Sequence, residues 1–245
     1  MGVRIDLPTP ASALAIAAHP DDVEFGCGAT LAKWSAAGAA CHHLVLTDGS
    51  KGSWDPADDR DVLVATRRDE QRAAAKELGC TGSVTFLDAV DGELDATLAR
   101  RAEVARVIRE VRPEVVLGHD PWRRYRLHPD HRNAGLLAVE GIVAARDPHF
   151  YPEQGIEHWR PSVLLLWEAD EVDHIEDVTG HVEAKLAALD AHVSQQRSTM
   201  GVVIGSPEEA AQRAAFARRV RDRLATFGRQ AGIAHAEAFK RIDDL

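Results

Sequence analysis

The chain has 245 residues, 45% hydrophobic and 28% charged, ordinary proportions for a globular chain able to bury a real core. Lys and Arg number 29 against 39 Asp and Glu, a formal net charge of -10, which argues against a general nucleic-acid binder because that function needs a basic footprint. Cys27, Cys41 and Cys80 are too few and oddly numbered for a disulfide framework and fit a reducing compartment. No apolar run approaches the roughly 18 residues of a membrane span, and the first residues lack a secretory apolar region, so a cytoplasmic protein without membrane insertion is expected.

In chain order, short strand-like apolar runs alternate with longer helix-like segments. Residues 13–18 (ALAIAA) read as a buried strand and 27–37 as a helix. Residues 41–47 (CHHLVLT) are the next strand, followed by a polar loop with Gly49, Gly52 and Pro56. Residues 61–78 are helical, with Gly79 a natural stop. A strand at 83–87, a helix at 94–111, a strand at 114–117, a helix at 131–145 and a strand at 162–167 complete the pattern. The last forty residues, 206–245, read as one or two charged helices broken near Gly228 and Gly232.

This alternation predicts an α/β fold: a Rossmann-like, mostly parallel sheet with helices on both faces, plus a C-terminal helical tail. Such sheets bind ligands at the carboxyl ends of their strands. The loops that matter are therefore 19–28, 48–60 and 119–130.

Two short sequences in those loops carry the chemistry. Ala18-His19-Pro20-Asp21-Asp22 ends the first strand, and His128-Pro129-Asp130-His131 precedes a helix. Two His plus one carboxylate is a recognised open metal set. His19 and Asp22, three apart in a tight turn, can converge on one ion, and an imidazole of the second loop completes the set. A divalent ion lowers the pKa of its water from about 15.7 toward about 7. A spare carboxylate then serves as base and a spare imidazole stabilises or protonates the tetrahedral intermediate. A lone buried His is ordinarily a hydrogen-bonded core residue; the pairing of the two loops reverses that reading.

Through these motifs the chain resembles the LmbE-like/PIG-L family of zinc-dependent N-deacetylases. The matching stretches are AHPDDVEFGCGATL (18–31), LTDGSKGS (46–53), TRRDEQRAAAKELG (66–79), FLDAVDGEL (86–94), IREVRPEVVLGHDPW (108–122), YRLHPDHRNAG (125–135) and KLAALDAHVSQ (185–195). The resemblance implies a single domain over 1–245, with a helical extension from about 206. It implies zinc, or iron in cells, held by His19, Asp22 and His131. Asp21 is then the general base and His128 the group at the oxyanion or leaving amine. Asp130 fixes an imidazole tautomer, and Arg67 and Asp91 lie in the substrate-binding region. The implied substrate is a small N-acetylated sugar or glycoside, and the implied assembly a homo-oligomer. The resemblance departs at Arg126, where some members carry a mobile Tyr two residues before the first His of HPDH; here Tyr125 is one step further away.

Arg123, Arg124, Arg126 and Arg132 surround the second motif, either as a site for an anionic substrate group or as ordinary ion pairs. His42 and His43 lack evident acidic partners and read as structural. His119-Asp120 reads as a loop-shaping pair. Gly26-x-Gly28 lacks the third Gly of a dinucleotide fingerprint, Leu31 standing there. Trp54 and Trp122 sit in rim loops, placed either to stack on a sugar ring or to pack as a lid. Two other functions compete: an amidase on a larger thiol- or sugar-conjugate amide, and a non-haem iron(II) oxygenase using the same triad. The oxygenase needs no base such as Asp21, and its expected fold is an all-β jelly roll.

Overall fold

In the computed structural model, which describes residues 3–245, the apolar runs become strands of one eight-stranded sheet in the order β1-β7-β8-β6-β5-β2-β3-β4. The strands are β1 (Arg4–Ile5), β2 (Ser12–Ala17), β3 (Ala40–Thr47), β4 (Val84–Ala89), β5 (Val115–His119), β6 (Val163–Trp167), β7 (His174–Asp177) and β8 (Ala236–Asp243). All neighbours are parallel except β8, which runs antiparallel to both β6 and β7. The helices are α1 (Asp22–Ala36), α2 (Arg60–Glu77), α3 (Leu98–Val111), α4 (Pro129–Arg146), α5 (Val182–Asp190) and α6 (Glu209–Ala231).

Side chains alternate across a strand, so β2 divides between two cores. Leu14 and Ile16 join Val104, Ile108, Leu137 and Ile142 of α3 and α4. Ala13, Ala15 and Ala17 face Val23, Leu31 and Trp34 of α1, with Ala74 of α2 and Ala188 of α5 beyond. β5 and β6 are buried along their whole length, as parallel strands covered on both faces must be. The expected α/β architecture is thus the observed one. Chain direction reverses its lateral progress at β2, since β3 lies on one side and β5 on the other; the crevice at that switch point is where open parallel sheets bind ligands.

Several boundaries differ from those read in the sequence. α1 starts at Asp22, directly out of the HPDD turn, instead of at residue 27. It is two helical segments joined at Cys27 (φ −146, ψ 17). The kink frees the amides of Ala29 and Thr30, and the carboxylate of Glu237 on β8 accepts both, at 3.1 and 2.7 Å. α3 begins at Leu98, capped by the Thr97 side chain, rather than at residue 94. The strands at 4–5 and 174–177 and the helix at 182–190 were not read from the sequence.

The tail is corrected most. It holds one helix, unbroken through Gly228, which stops at the left-handed Gly232 (φ 73). Residues 236–243 are then a strand rather than a helix. Gly228 has a packing reason: a Cβ there would lie 2.6 Å from the Ile233 carbonyl oxygen. Among the described residues, no helix is long and apolar enough to cross a membrane.

Candidate metal centre and active-site cleft

The turn that follows β2 is under strain. Asp21 sits at φ 102, ψ −26, a conformation that costs a non-glycine residue on the order of 1–3 kcal/mol and persists only when its surroundings impose it. Those surroundings are specific. Gln71 of α2 accepts the Asp21 amide at 2.9 Å. Arg67 donates to the carbonyls of Pro20 at 2.6 Å and Gly49 at 2.8 Å. Asp22 accepts the His19 amide at 2.8 Å. Asp21 occupies the N-cap position of α1, yet its side chain makes no capping bond; its carboxylate reaches only Arg67, at 3.4 Å, and lines the cleft.

The second turn is built by α4, with His128 at the N-cap and Pro129 in the first turn, where its missing N–H costs nothing. Asp130 is buried and ties this turn to the loop after β4, accepting the amides of Gly92 at 2.6 Å and Leu94 at 3.2 Å.

The two turns meet. His19 Nδ1 lies 3.2 Å from Asp22 Oδ2 and 3.2 Å from His131 Nε2, and His131 Nε2 lies 3.4 Å from Asp22 Oδ1. Ligand atoms bound tetrahedrally at about 2.0–2.1 Å are separated by about 3.3–3.4 Å; each pairwise approach here has that spacing, with Asp22 meeting the two imidazoles through different oxygens. The other nitrogen of His19, Nε2, lies 3.1 Å from Asp130 Oδ2 and 3.2 Å from Asp91 Oδ1. A proton donated there leaves Nδ1 bare toward Asp22 and His131, the usual way a ligand imidazole is held. Burial disfavours a charged His19, yet its hydrogen bonds to Asp130, Asp22 and Asp91 outweigh it and raise its pKa well above the ordinary value. Positive charge is stabilised at this point of the molecule.

His119 belongs to the same cluster. Its Nδ1 accepts the Trp167 indole N–H at 3.0 Å, its Nε2 lies 3.3 Å from Asp22 Oδ2, and its ring stacks on His131 at 4.4 Å. The expected loop-shaping role is therefore incomplete, because His119 is one of three residues, with Asp22 and His131, whose donor atoms crowd within 4.8 Å. Two further groups meet that spacing: His19 with His128 and His131, and His19 with Asp91 and Asp130. Trp167 approaches because residue 26 is glycine; a Cβ there would lie 2.6 Å from the indole. That contact, not a phosphate loop, accounts for Gly26.

Asp21 and Asp22 adopt opposite electrostatic characters. Burial pushes the Asp21 carboxyl up to about 6, against the pull of Arg67 and with a further push from Asp22. Burial also disfavours ionised Asp22, but the imidazoles of His131 and His119 overcome it and hold that carboxyl well below the usual range. His128 is exposed at the cleft wall, stacked on His131 at 4.7 Å, and burial together with His19 keeps it below the ordinary imidazole range.

These residues line a cavity of about 470 Å³ shared with Lys51, Asp91, Gln195, Thr199 and Arg223. Arg67 is on its wall but only 3% exposed, with its guanidinium engaged by the HPDD turn. Asp91 also lines it, accepting the Lys51 amide at 3.1 Å. Arg126 pairs with Glu168 and touches His131. Arg123 and Arg223 reach the same Glu168 at 3.7 and 3.6 Å, and Arg124 faces Asp170 at 3.8 Å. Three of the four clustered arginines are thus matched by carboxylates some forty residues away. His43 has an acidic partner after all: Glu24 lies 3.8 Å away, Gln71 bridges the two, and His192 meets Glu24 at 3.1 Å. This buried network stands directly behind Asp21.

A crevice at the switch point of a parallel sheet, bringing His19, Asp22 and His131 together beside the buried Asp21 carboxylate that Arg67 holds at 3.4 Å, has the donor set of a metal-dependent hydrolase. The chain belongs to the PIG-L family, described as GlcNAc-PI de-N-acetylase, whose profile matches residues 14–142. It is similar to the diacetylchitobiose deacetylase of Thermococcus kodakarensis, 35% identical over 185 residues that cover 74% of this chain and 69% of that one. A 1D-myo-inositol 2-acetamido-2-deoxy-alpha-D-glucopyranoside deacetylase of Streptomyces scabiei is 36% identical over 172 residues, 60% of this chain and about half, 52%, of its own length. Among solved structures, N,N'-diacetylchitobiose deacetylase from Pyrococcus horikoshii superposes with a TM-score of 0.83 at 28% identity, covering 96% of this chain and 84% of that one.

Proposed function

We propose that the protein is a zinc-dependent amide hydrolase that removes the acetyl group from an N-acetylated amino sugar or a small glycoside of one. The observation that carries this reading is the pairwise approach of His19, Asp22 and His131 at 3.2–3.4 Å, Asp22 meeting each imidazole through a different oxygen, with the Asp21 carboxylate beside them. These three residues hold the ion; Asp130 and Asp91 fix the tautomer of His19. When bound, the ion supplies Lewis acidity and a water that is nucleophilic near neutral pH.

The chain's own groups do the rest. Asp21, raised to about 6 by burial, takes a proton from the attacking water as its oxygen bonds to the acetamide carbon. His128, at the open wall, donates a hydrogen bond to the developing oxyanion or assists the departing nitrogen, and the proton taken up by Asp21 passes to that nitrogen. The C–N bond breaks, giving acetate and a free amine. Arg67 keeps the strained turn in place, and Lys51, Asp91, Gln195 and Arg223 offer polar contacts to sugar hydroxyls. Arg126 is spent on Glu168, which weighs against a phosphate or carboxylate site there. Unbonded Cys27, Cys41 and Cys80 support a cytoplasmic setting, and we read the working form as a homo-oligomer.

The test is a screen of N-acetylated sugars for released acetate and free amine, before and after chelation, with metal analysis of the purified protein. Amine release that a chelator abolishes and zinc restores supports the reading. Iron with oxygen consumption, or no acetate from any amino sugar but turnover of larger conjugate amides, overturns it.

A further inference from the structure

We infer that a second binding site, beside the metal cavity, holds the neutral ring attached to the N-acetylated sugar. This rests on the deacetylase reading above and names the substrate's other half. A cavity of about 460 Å³ is lined by Gly52, Ser53, Trp54, Asp55, Asp58, Ser194, Arg197 and Ser198, a size typical of small-molecule sites. It abuts the metal cavity along one seam. Gly52 lines both, and Ser194 and Ser198 on this side adjoin Gln195 and Thr199 on the other. The seam is closed by Ser198 Oγ donating to the Gly52 carbonyl at 3.2 Å, and a Cβ at position 52 would lie 2.3 Å from the Arg67 guanidinium.

The lining has the features of a carbohydrate site. Trp54 leaves 79% of its surface exposed on a loop that its own side chains stiffen. Ser53 bonds Asp58, the Asp55 amide donates to Ser53 Oγ at 3.1 Å, and Asp55 accepts the Ala57 amide at 2.9 Å. A rigid, exposed indole offers a flat apolar face at small entropic cost. Opposite it, Arg197 lies on a π-helical turn, Gln196–Met200, a geometry that recurs at functional sites. Arg197 makes no ion pair among the described residues, while Ser194 is anchored to Glu70 at 2.6 and 2.7 Å. Charge then selects the ligand. Two carboxylates, Asp55 and Asp58, face one guanidinium, so an added phosphate or carboxylate is repelled. A polyhydroxylated ring can give hydrogen bonds to the aspartates and receive them from Arg197.

The experiment compares the metal-loaded wild type with Trp54→Ala, Trp54→Phe and Arg197→Ala on three substrates: N-acetylglucosamine, the neutral two-ring N,N'-diacetylchitobiose, and N-acetylglucosamine 1-phosphate. Trp54→Ala should raise KM for the two-ring substrate by roughly tenfold with kcat held, Trp54→Phe should restore most of it, and the one-ring substrate, too short to reach, is the control. Equal effects on one- and two-ring substrates, or preference for the phosphate through Arg197, overturns the inference. Calorimetric titration of the disaccharide separates the two readings. Without turnover of any acetyl sugar, binding weakened by Trp54→Ala keeps the second site and removes the deacetylase; binding unchanged by it removes the second site.

Discussion

The two halves of the sheet bury charge in opposite ways. In the mixed half, β6-β8-β7-β1, every buried carboxylate is met by protein donors. Glu176 accepts the Leu7 amide, His174 and Lys33, each at 2.8 Å, and Glu237 accepts two amides of α1 and Lys185 at 2.6 Å. In the parallel half, Asp22, Asp91 and Asp130 converge on the imidazoles of His19, His119 and His131. Desolvated charge is costly in both places. Where it is matched within the chain it holds elements together; where imidazoles and carboxylates converge, it forms the proposed metal site.

Breaking that contrast should be easiest at the strand ends. Asp21→Asn should lower kcat by roughly 10²–10⁴-fold, the range of a lost general base, with metal content unchanged. His131→Ala should lose both activity and metal; metal analysis beside kinetics separates the two outcomes, and metal loss in Asp21→Asn would make Asp21 a ligand. In the other half, Glu237→Ala leaves the Lys185 ammonium buried and opens the kink in α1. It should cost about 3–5 kcal/mol in denaturant unfolding, with little change if the pair is dispensable.

A finer test uses one residue to oppose stability and function. Asp21→Gly relieves a left-handed backbone and a desolvated carboxyl, so the metal-free protein should gain about 1 kcal/mol while turnover vanishes; a loss of stability would show that the strain is not stored there. The smallest effect is on pH. In the proposed reaction Asp21 must be ionised to act, so the rate falls as pH drops through its pKa. Burial sets that near 6, and a cation bound at Asp22 can only pull it lower. The acidic limb of the metal-loaded enzyme should therefore lie at or below about 6, and a limb well above 6 assigns it to another group.

Much of the site is legible because its chemistry dictates residue types within short spans. His19-Pro20-Asp21-Asp22 and His128-Pro129-Asp130-His131 each gather their imidazoles and carboxylates within four residues, one at a strand end and one at a helix start. His119 is less readable: its role depends on β5 lying between β2 and β6, which puts it against Asp22 and Trp167. The acidic partner of His43 is Glu24, on another element, and the carboxylates that match Arg123, Arg124 and Arg126 follow β6. The fold reads well where strands are apolar runs. It misreads β8, whose AEAFKRID is rich in helix formers; pairing on both sides and burial of its first half override local preference. Gln71 has no sequence signature, because holding one strained amide requires only a carbonyl at the right place.

The bend in α1 makes the order of synthesis matter. The amides of Ala29 and Thr30 find their acceptor 208 and 207 positions downstream, on a strand that slides between two others. A nascent chain leaves the ribosome with α1 written but the acceptor for its bend missing. Until residue 237 arrives, those two amides and the Lys185 ammonium wait for their shared partner, so the first helix of the chain is completed by one of its last strands.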